Sequence, residues 1–176
     1  MDSSNKQWDY QFYPTPGELA RLLVEFADIT EEDVVLEPSA GRGDLLRAIA
    51  EARPSEVECC ELMPENRARL EEDGWELVGA DFLKLRRYAR YSRIVANPPF
   101  TNDQDLRHLK HMYELLKFGG RLVCVTSAHH RRSAVLEHVE FRQWLDARGA
   151  RVYELGKGAF DEIGVDVETV IITIDK

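Results

Sequence analysis

The chain alternates short, mostly apolar runs with stretches of helical period. The apolar runs fall at residues 34–36, 57–60, 75–78, 94–96, 122–126, 152–155 and 167–174. Bounded by turn residues, they read as strands, and the near-continuous apolar ones as strands buried on both faces. Between them, Leu19, Leu22, Leu23 and Phe26 share one face of a helix ending near Ala27. Leu106, Leu109, Met112, Leu115 and Leu116 share a face of a second helix over residues 105–117. Further helices are expected over 44–52, 64–72 and 135–148. Thr15-Pro16-Gly17-Glu18 reads as a helix start, with Thr15 as cap, Pro16 in the first turn and Glu18 closing a capping box. Gly74, Gly119-Gly120 and Gly149 read as helix stops. The basic stretch 84–93 reads as a short helix or loop, and residues 127–133 as a mobile polar loop. Strands alternating with helices predict an α/β fold with a mainly parallel sheet. The close spacing of the last two strands, with Gly164 between them, predicts an antiparallel hairpin.

Ligands in such sheets bind beyond the carboxyl ends of the strands. Those ends here carry Glu37-Pro38-Ser39-Ala40-Gly41-Arg42-Gly43, then Glu61, then Asp81, then Asn97-Pro98-Pro99-Phe100. The glycine loop lets backbone approach a ligand closely. It has neither the G-x-G-x-x-G phosphate pattern nor a P-loop lysine, so pyrophosphate is not its best ligand. Glu61 is placed to accept both hydrogens of a ribose diol, and Asp81 to accept from the exocyclic amine of adenine. A nucleoside without phosphates fits this set, and S-adenosylmethionine is such a ligand. In Asn97–Phe100 two prolines fix φ and lack N–H groups. The turn offers the Asn97 side-chain oxygen, unaccompanied carbonyls and an aromatic ring. That combination suits a flat molecule bearing an –NH2 group.

Length and charge add boundaries. The 176 residues are enough for one domain with a real core; residues 1–11 are polar and read as a flexible lead, and 12–176 as a single domain. No apolar run approaches the ~20 residues that span a bilayer. The N-terminus has no apolar signal core, so a cytoplasmic location and no membrane partner are expected. Cys59, Cys60 and Cys124 sit in apolar runs and read as reduced core residues, and no spacing suggests a metal site. The net charge is −9, but it is uneven. Residues 18–83 hold 18 acids and 6 bases, whereas 84–132 hold 3 acids and 11 bases. A polyanion could meet the basic middle despite the acidic total.

In their order along the chain these motifs resemble the class I S-adenosylmethionine-dependent methyltransferases. Within them the chain is most similar to the amino-methyltransferases with an (Asn/Asp/Ser)-Pro-Pro-(Tyr/Phe/Trp) turn, and above all to the gamma-type DNA adenine-N6 enzymes. Phe12-Tyr13-Pro14-Thr15-Pro16 resembles their N-terminal motif, residues 36–44 their cofactor loop, Glu61 the ribose acid, Gly79-Ala80-Asp81-Phe82 the adenine contact and Asn97–Phe100 the catalytic turn. The resemblance implies a Rossmann-like fold: a seven-stranded, mainly parallel sheet with an antiparallel C-terminal hairpin and helices on both faces. It implies a cofactor site formed by Tyr13, Thr15, Glu37, Ser39, Ala40, Gly41, Gly43, Glu61, Leu62, Asp81, Phe82 and Asn97. It implies a catalytic turn of Asn97, Pro98, Pro99 and Phe100, and substrate contacts by Phe100, Phe160, Arg131 and Arg132. The reaction implied is methylation of an exocyclic amine, adenine N6 in DNA ahead of RNA bases or a protein glutamine. A non-catalytic cofactor-binding subunit is the alternative of a different class. Family members that read DNA sequence carry a recognition domain or long insertions, whereas here the sheet uses nearly every residue. A partner subunit for target recognition is therefore a further expectation.

Overall fold

The computed structural model describes residues 14–155 and 167–176. The expectations for the lead segment, for Tyr13 and for Phe160 lie outside the described residues. Seven strands form one sheet: β1 (Val34–Glu37), β2 (Glu56–Cys60), β3 (Glu76–Gly79), β4 (Tyr91–Ala96), β5 (Leu116–Ser127), β6 (Arg151–Glu154) and β7 (Thr169–Asp175). Their order is β3-β2-β1-β4-β5-β7-β6. The first five strands pair in parallel, and β7 runs antiparallel to both β5 and β6. The strand order reverses at the seam between β1 and β4, the place where an open α/β sheet leaves a crevice at its carboxyl edge.

Among the described residues five α-helices cover the sheet: α1 (Gly17–Ala27), α2 (Asp44–Glu51), α3 (Pro64–Glu72), α4 (Gln104–Leu115) and α5 (Leu136–Asp146). Period-2 alternation divides each strand between two faces. Val35, Val95, Val123, Val125 and Ile171 meet Leu19, Leu23, Leu45 and Ile49 of α1 and α2. Cys59, on the same face, packs with Leu70 of α3. Leu36, Ile94, Ala96, Leu122, Cys124 and Ile172 point the other way, onto Leu106, Leu109 and Met112 of α4 and Phe141 of α5. All three cysteines are free and buried, as their apolar setting predicts. Burial pushes the Cys60 thiol up to about 12 and raises Cys59 and Cys124 further, so none is a ready nucleophile.

Several boundaries differ from the sequence expectation. Thr15 does not cap α1. Pro16 is the N-cap residue, with φ −54° and ψ 142°, and no side chain bonds the first turn. Helix α4 stops at Leu115 rather than 117, because Leu116 is already extended and pairs with Tyr91. The Gly119-Gly120 pair therefore lies inside β5. There Gly119 N donates to Lys176 O, and Lys176 N donates to Gly120 O. The basic stretch 84–93 is not a helix. It leaves a 3-10 turn at Phe82–Lys84 and enters β4 at Tyr91. Its arginines are used internally. Glu58, fully buried, takes Arg87 at 2.7 Å, the guanidinium of Arg90, and the Tyr91 hydroxyl at 2.6 Å. A buried carboxylate with three donors is retained in the sheet because each charge has a partner. Residues 127–133 are also not a loose loop: Ala128–Arg131 form a 3-10 turn with His130 buried. No helix among the described residues is long and apolar enough to cross a membrane.

Candidate cofactor and catalytic site

Four strand ends meet at the carboxyl edge, and three of them carry an acid held in the same way. Glu37, at the end of β1, accepts from the Ser39 N–H at 3.1 Å. Glu61, just past β2, accepts from the Met63 N–H at 2.7 Å. Asp81, past β3, accepts from the Leu83 N–H at 3.1 Å. Each carboxylate is thus fixed by the backbone two residues on, as side chains do when they start a turn. Glu61 is also cross-linked to the glycine loop, since Gly41 N–H donates to its second oxygen at 2.7 Å. Ala40 N–H donates to Cys60 O at 2.9 Å and binds the same loop to the end of β2. The loop turns through left-handed φ at Gly41 (55°) and Gly43 (81°). At Gly43 a Cβ would come within 3.2 Å of the Leu70 side chain, so helix packing as well as loop geometry calls for glycine there.

The electrostatics of these acids suit a ligand that brings donors. Glu37 is almost fully buried and its Oε2 has no hydrogen-bond partner among the described residues. Burial, with the Glu61 carboxylate nearby, pushes its pKa well above the usual range. Burial raises Glu61 as well, against the opposing pull of its backbone donors. Acceptor capacity is thus retained at this edge, above all by Glu37 Oε2, and by Glu61 Oε2 beyond its single bond to Gly41. A cationic group or hydroxyl donors would lower the cost of ionising both. Asp81 is about one-third exposed on its side chain and pairs with Lys84 at 3.1 Å. Leu62 is exposed and Phe82 is buried. The Phe82 ring stands in the core between His108 and His111, with centroids at 5.1 and 4.9 Å, so this residue can offer a ligand its backbone but not its ring face.

The Asn97–Phe100 turn follows β4. Pro98 is buried, Asn97 and Pro99 are half-buried, and Phe100 is half-buried against the α1–α2 cluster. Asn97 Nδ2 donates to Thr15 Oγ1 at 3.2 Å. Asn102 and Asp103 then hold left-handed φ of 54° each, two strained positions directly after the turn. Asp103 is engaged by His138 of α5 at 3.1 Å. Asp105 is buried in the first turn of α4. Its Oδ2 accepts from Ser127 N–H at 2.9 Å, at the end of β5, while Oδ1 has no hydrogen-bond partner among the described residues. Burial pushes Asp105 up to about 6. His108 is buried with its Nδ1 3.4 Å from Ser39 Oγ, and burial pushes it down to about 4, so its ring is neutral near pH 7. Arg131 pairs with Glu154 at 2.5 Å, and Arg132, 87% exposed, lies 4.0 Å from Glu168. These two arginines line a cleft of about 220 Å³ with Thr169 and Val170, at the same edge.

No protein-family model matches the sequence, and no curated protein matches it either. Solved structures do. A candidate RNA methyltransferase from Pyrococcus horikoshii superposes with a TM-score of 0.70 at 20% identity, covering 98% of this chain and 91% of that one. The methyltransferase subunit of a type I restriction-modification system from Streptococcus thermophilus gives 0.77 at 19% identity, covering 94% of this chain and 45% of that one. The chain has the class I methyltransferase fold. The M protein of the type I restriction enzyme EcoKI gives 0.78 at 18% identity, covering 96% and 44%. The class I fold therefore spans nearly all of this chain but less than half of either type I protein.

Sequence reasoning identified the acids and the turn but missed the side chains that hold them. Thr15 was read as a cap. His108, Asp105 and His138 gave no local signal, since their partners are 69, 22 and 35 positions away along the chain. Asn102-Asp103 did carry one, because these residue types tolerate left-handed backbone.

Proposed function

We propose that the protein transfers a methyl group from S-adenosylmethionine to an exocyclic amine, with adenine N6 in DNA as the preferred target. The observation that carries this reading is the convergence of Glu37, Glu61, Asp81 and Asn97 on one edge of a class I methyltransferase sheet. The donor set fits the cofactor. Glu61 would accept from the ribose hydroxyls, Asp81 from the adenine amine, and the unpartnered Glu37 Oε2 from the ammonium. Gly41 and Ala40 would bring backbone close to the ligand. When bound, the cofactor supplies a methyl group on a positively charged sulfur.

The chain's own residues do the rest. Asn97 Oδ1 and the Pro98 carbonyl accept the two hydrogens of the target amine. That draws the nitrogen lone pair out of conjugation and aims it into the site. Positive charge grows on the nitrogen as it reacts, and preorganised carbonyl dipoles stabilise it. Holding the amine in line accounts for much of the remaining rate. A base in a duplex must first be flipped, at a few kcal/mol. Stacking on an aromatic face, at ~1–3 kcal/mol per base, offsets this; Phe100 and Phe160 are the candidates. Arg132 is the foremost phosphate contact, since Arg131 already holds Glu154. Target choice would come from a further subunit or domain, as befits a chain spanning less than half of the type I modification proteins.

A second reading, methylation of RNA, is favoured by the near-complete length match to the candidate RNA enzyme. One experiment separates the two. The protein is incubated with unmethylated DNA or with RNA and methyl-labelled cofactor, and the product is digested to nucleosides. N6-methyladenine from DNA is the expected result. Label in RNA alone would replace the DNA reading with the second one, and a cofactor that binds without labelling either would sink both.

A further inference from the structure

We infer that Thr15 is a positioning residue for the catalytic amide of Asn97, in addition to any contact it makes with a ligand. This inference rests on the amine-methylation reading above. Thr15 sits one residue before the N-cap Pro16 and two before α1. Its hydroxyl accepts from Asn97 Nδ2, across 82 residues of sequence.

The consequence lies in how an amide is built. Its oxygen accepts and its nitrogen donates two hydrogens. A target amine also donates two hydrogens, so only the Asn97 oxygen is useful to it. If the amide rotated by half a turn, the nitrogen would face the amine, donor against donor. A partner on Nδ2 therefore leaves Oδ1 for the target and anchors the amide at its other end, although a hydroxyl that can also donate does not by itself forbid the reversed orientation. Thr15 Oγ1 is that partner.

Both ends of this contact are rigidly mounted. Pro16 fixes the chain just after Thr15, and its carbonyl accepts from Ala20 N–H at 2.9 Å inside α1. Helix α1 packs through Leu19, Ala20 and Leu23 onto Val95, two residues before Asn97 in β4. The helix that places the hydroxyl and the strand that places the amide thus share one buried cluster. A hydrogen bond between groups already held in register loses little entropy on forming. The geometry favours a fixed amide over a rotating one.

The test uses the full chain with unmethylated DNA, methyl-labelled S-adenosylmethionine and four variants: Thr15→Val, Thr15→Ser, Asn97→Ala and the Thr15→Val/Asn97→Ala double. Thr15→Val keeps the shape and removes the acceptor. It should lower kcat at saturating cofactor about tenfold, whether or not cofactor Kd also changes. Thr15→Ser restores the acceptor and should return kcat to within about threefold of the parent. In the Asn97→Ala background, Thr15→Val should change turnover by less than about twofold, because the group it acts through is gone. Thr15→Ala takes the place of the valine variant if that one does not fold. A weakened Kd with unchanged kcat, or an undiminished loss in the Asn97→Ala background, would overturn the inference and leave Thr15 a plain ligand contact or packing residue. The side-chain amide resonance of Asn97, assigned by its disappearance in Asn97→Ala, gives a readout that needs no activity. It should shift in Thr15→Val and stay in place in Thr15→Ser, and an unmoved resonance also overturns the contact. A parent protein that labels no amine defeats the functional reading, and the resonance still decides the contact.

Discussion

The carboxyl edge is built differently on the two sides of the β1–β4 seam. On the β1–β3 side each strand ends in an acid that bonds the backbone two residues later: Glu37 to Ser39, Glu61 to Met63 and Asp81 to Leu83. On the β4–β5 side the groups are held by distant chain: Asn97 by Thr15 and Ser127 by Asp105, with His138 Nε2 lying 3.1 Å from Asp103 Oδ2. The first side repeats one local acid-to-backbone turn three times, with one longer cross-link from Gly41 to Glu61. The second relies on separate long-range contacts around the turn after β4 and the end of β5. The difference suggests a division of labour. Short-range anchors make a rigid surface that a small ligand can dock on. Long-range contacts hold one amide in one orientation, which matters for a reacting atom more than for affinity. Damage to the two sides should therefore read out differently, in binding on one and in turnover on the other.

The largest effect is expected at Asn97. Asn97→Ala should lower single-turnover methylation by two to three orders of magnitude, comparable to removing one preorganised transition-state group, with cofactor Kd by calorimetry nearly unchanged. A large loss of cofactor affinity would erase the division between the two sides.

Next in size is the response to pH, where two buried groups beside the seam act with opposite sign. His108 has a folded pKa of about 4, below its ordinary 6.5. The unfolded chain takes up this proton first, so stability is complete above pH 6.5 and falls as pH drops toward 4, by up to about 3 kcal/mol. Asp105 has a folded pKa of about 6, above its ordinary 3.8. Its contribution is complete below pH 3.8 and is lost as pH rises through 6, again by up to about 3 kcal/mol. Urea midpoints across pH 4–8 should therefore shift less toward acid for His108→Gln than for the parent. Asp105→Asn should gain relative stability above pH 6. Parallel curves for parent and variants would show that neither group is as desolvated as its burial implies.

The same contrast explains what the sequence made legible. Strand-end acids and the Asn-Pro-Pro-Phe turn were readable because their roles follow from neighbours within a few residues. The near-continuous apolar run Val34-Val35-Leu36 marked a strand buried on both faces, and the antiparallel β6–β7 pair followed from the last two apolar runs. The sequence misled where a residue's best local use lost to a distant partner. Thr15 could have capped α1, but its hydroxyl is spent on Asn97. The arginines of 84–93 looked available to a polyanion, but Arg87 and Arg90 neutralise Glu58. The Gly119-Gly120 pair looked like a helix stop, but pairing with the chain end at Lys176 took it into β5. Long-range pairing of this kind leaves no periodic trace in a single sequence.

On the local side, Glu61→Ala should weaken cofactor binding about tenfold to thirtyfold, the size of a lost charged hydrogen bond, with turnover at saturating cofactor falling less than threefold. Calorimetry gives the first number and saturating single-turnover rates the second. The variant also leaves the N–H groups of Gly41 and Met63 without their carboxylate. A lowered urea midpoint alongside the lost affinity would tie the glycine loop's order to this one side chain. A turnover loss as large as that of Asn97→Ala would place Glu61 in the reaction itself and remove the contrast.

The smallest effect tests whether the basic side meets phosphate at all. Arg132 is the natural position, because its side chain is 87% exposed and Glu168 lies as far as 4.0 Å from it. Arg131 pairs closely with Glu154, so a phosphate would have to displace that carboxylate first. Arg132→Ala should weaken DNA binding only about threefold, but it should lower the slope of log K against log salt by about one, as loss of a single phosphate contact does. Arg131→Ala should change the slope less, and Glu154→Gln should strengthen binding by freeing Arg131. If Arg132→Ala leaves the slope unchanged, the positive charge of this side is spent on the protein's own acids, and the nucleic acid must be held by another surface.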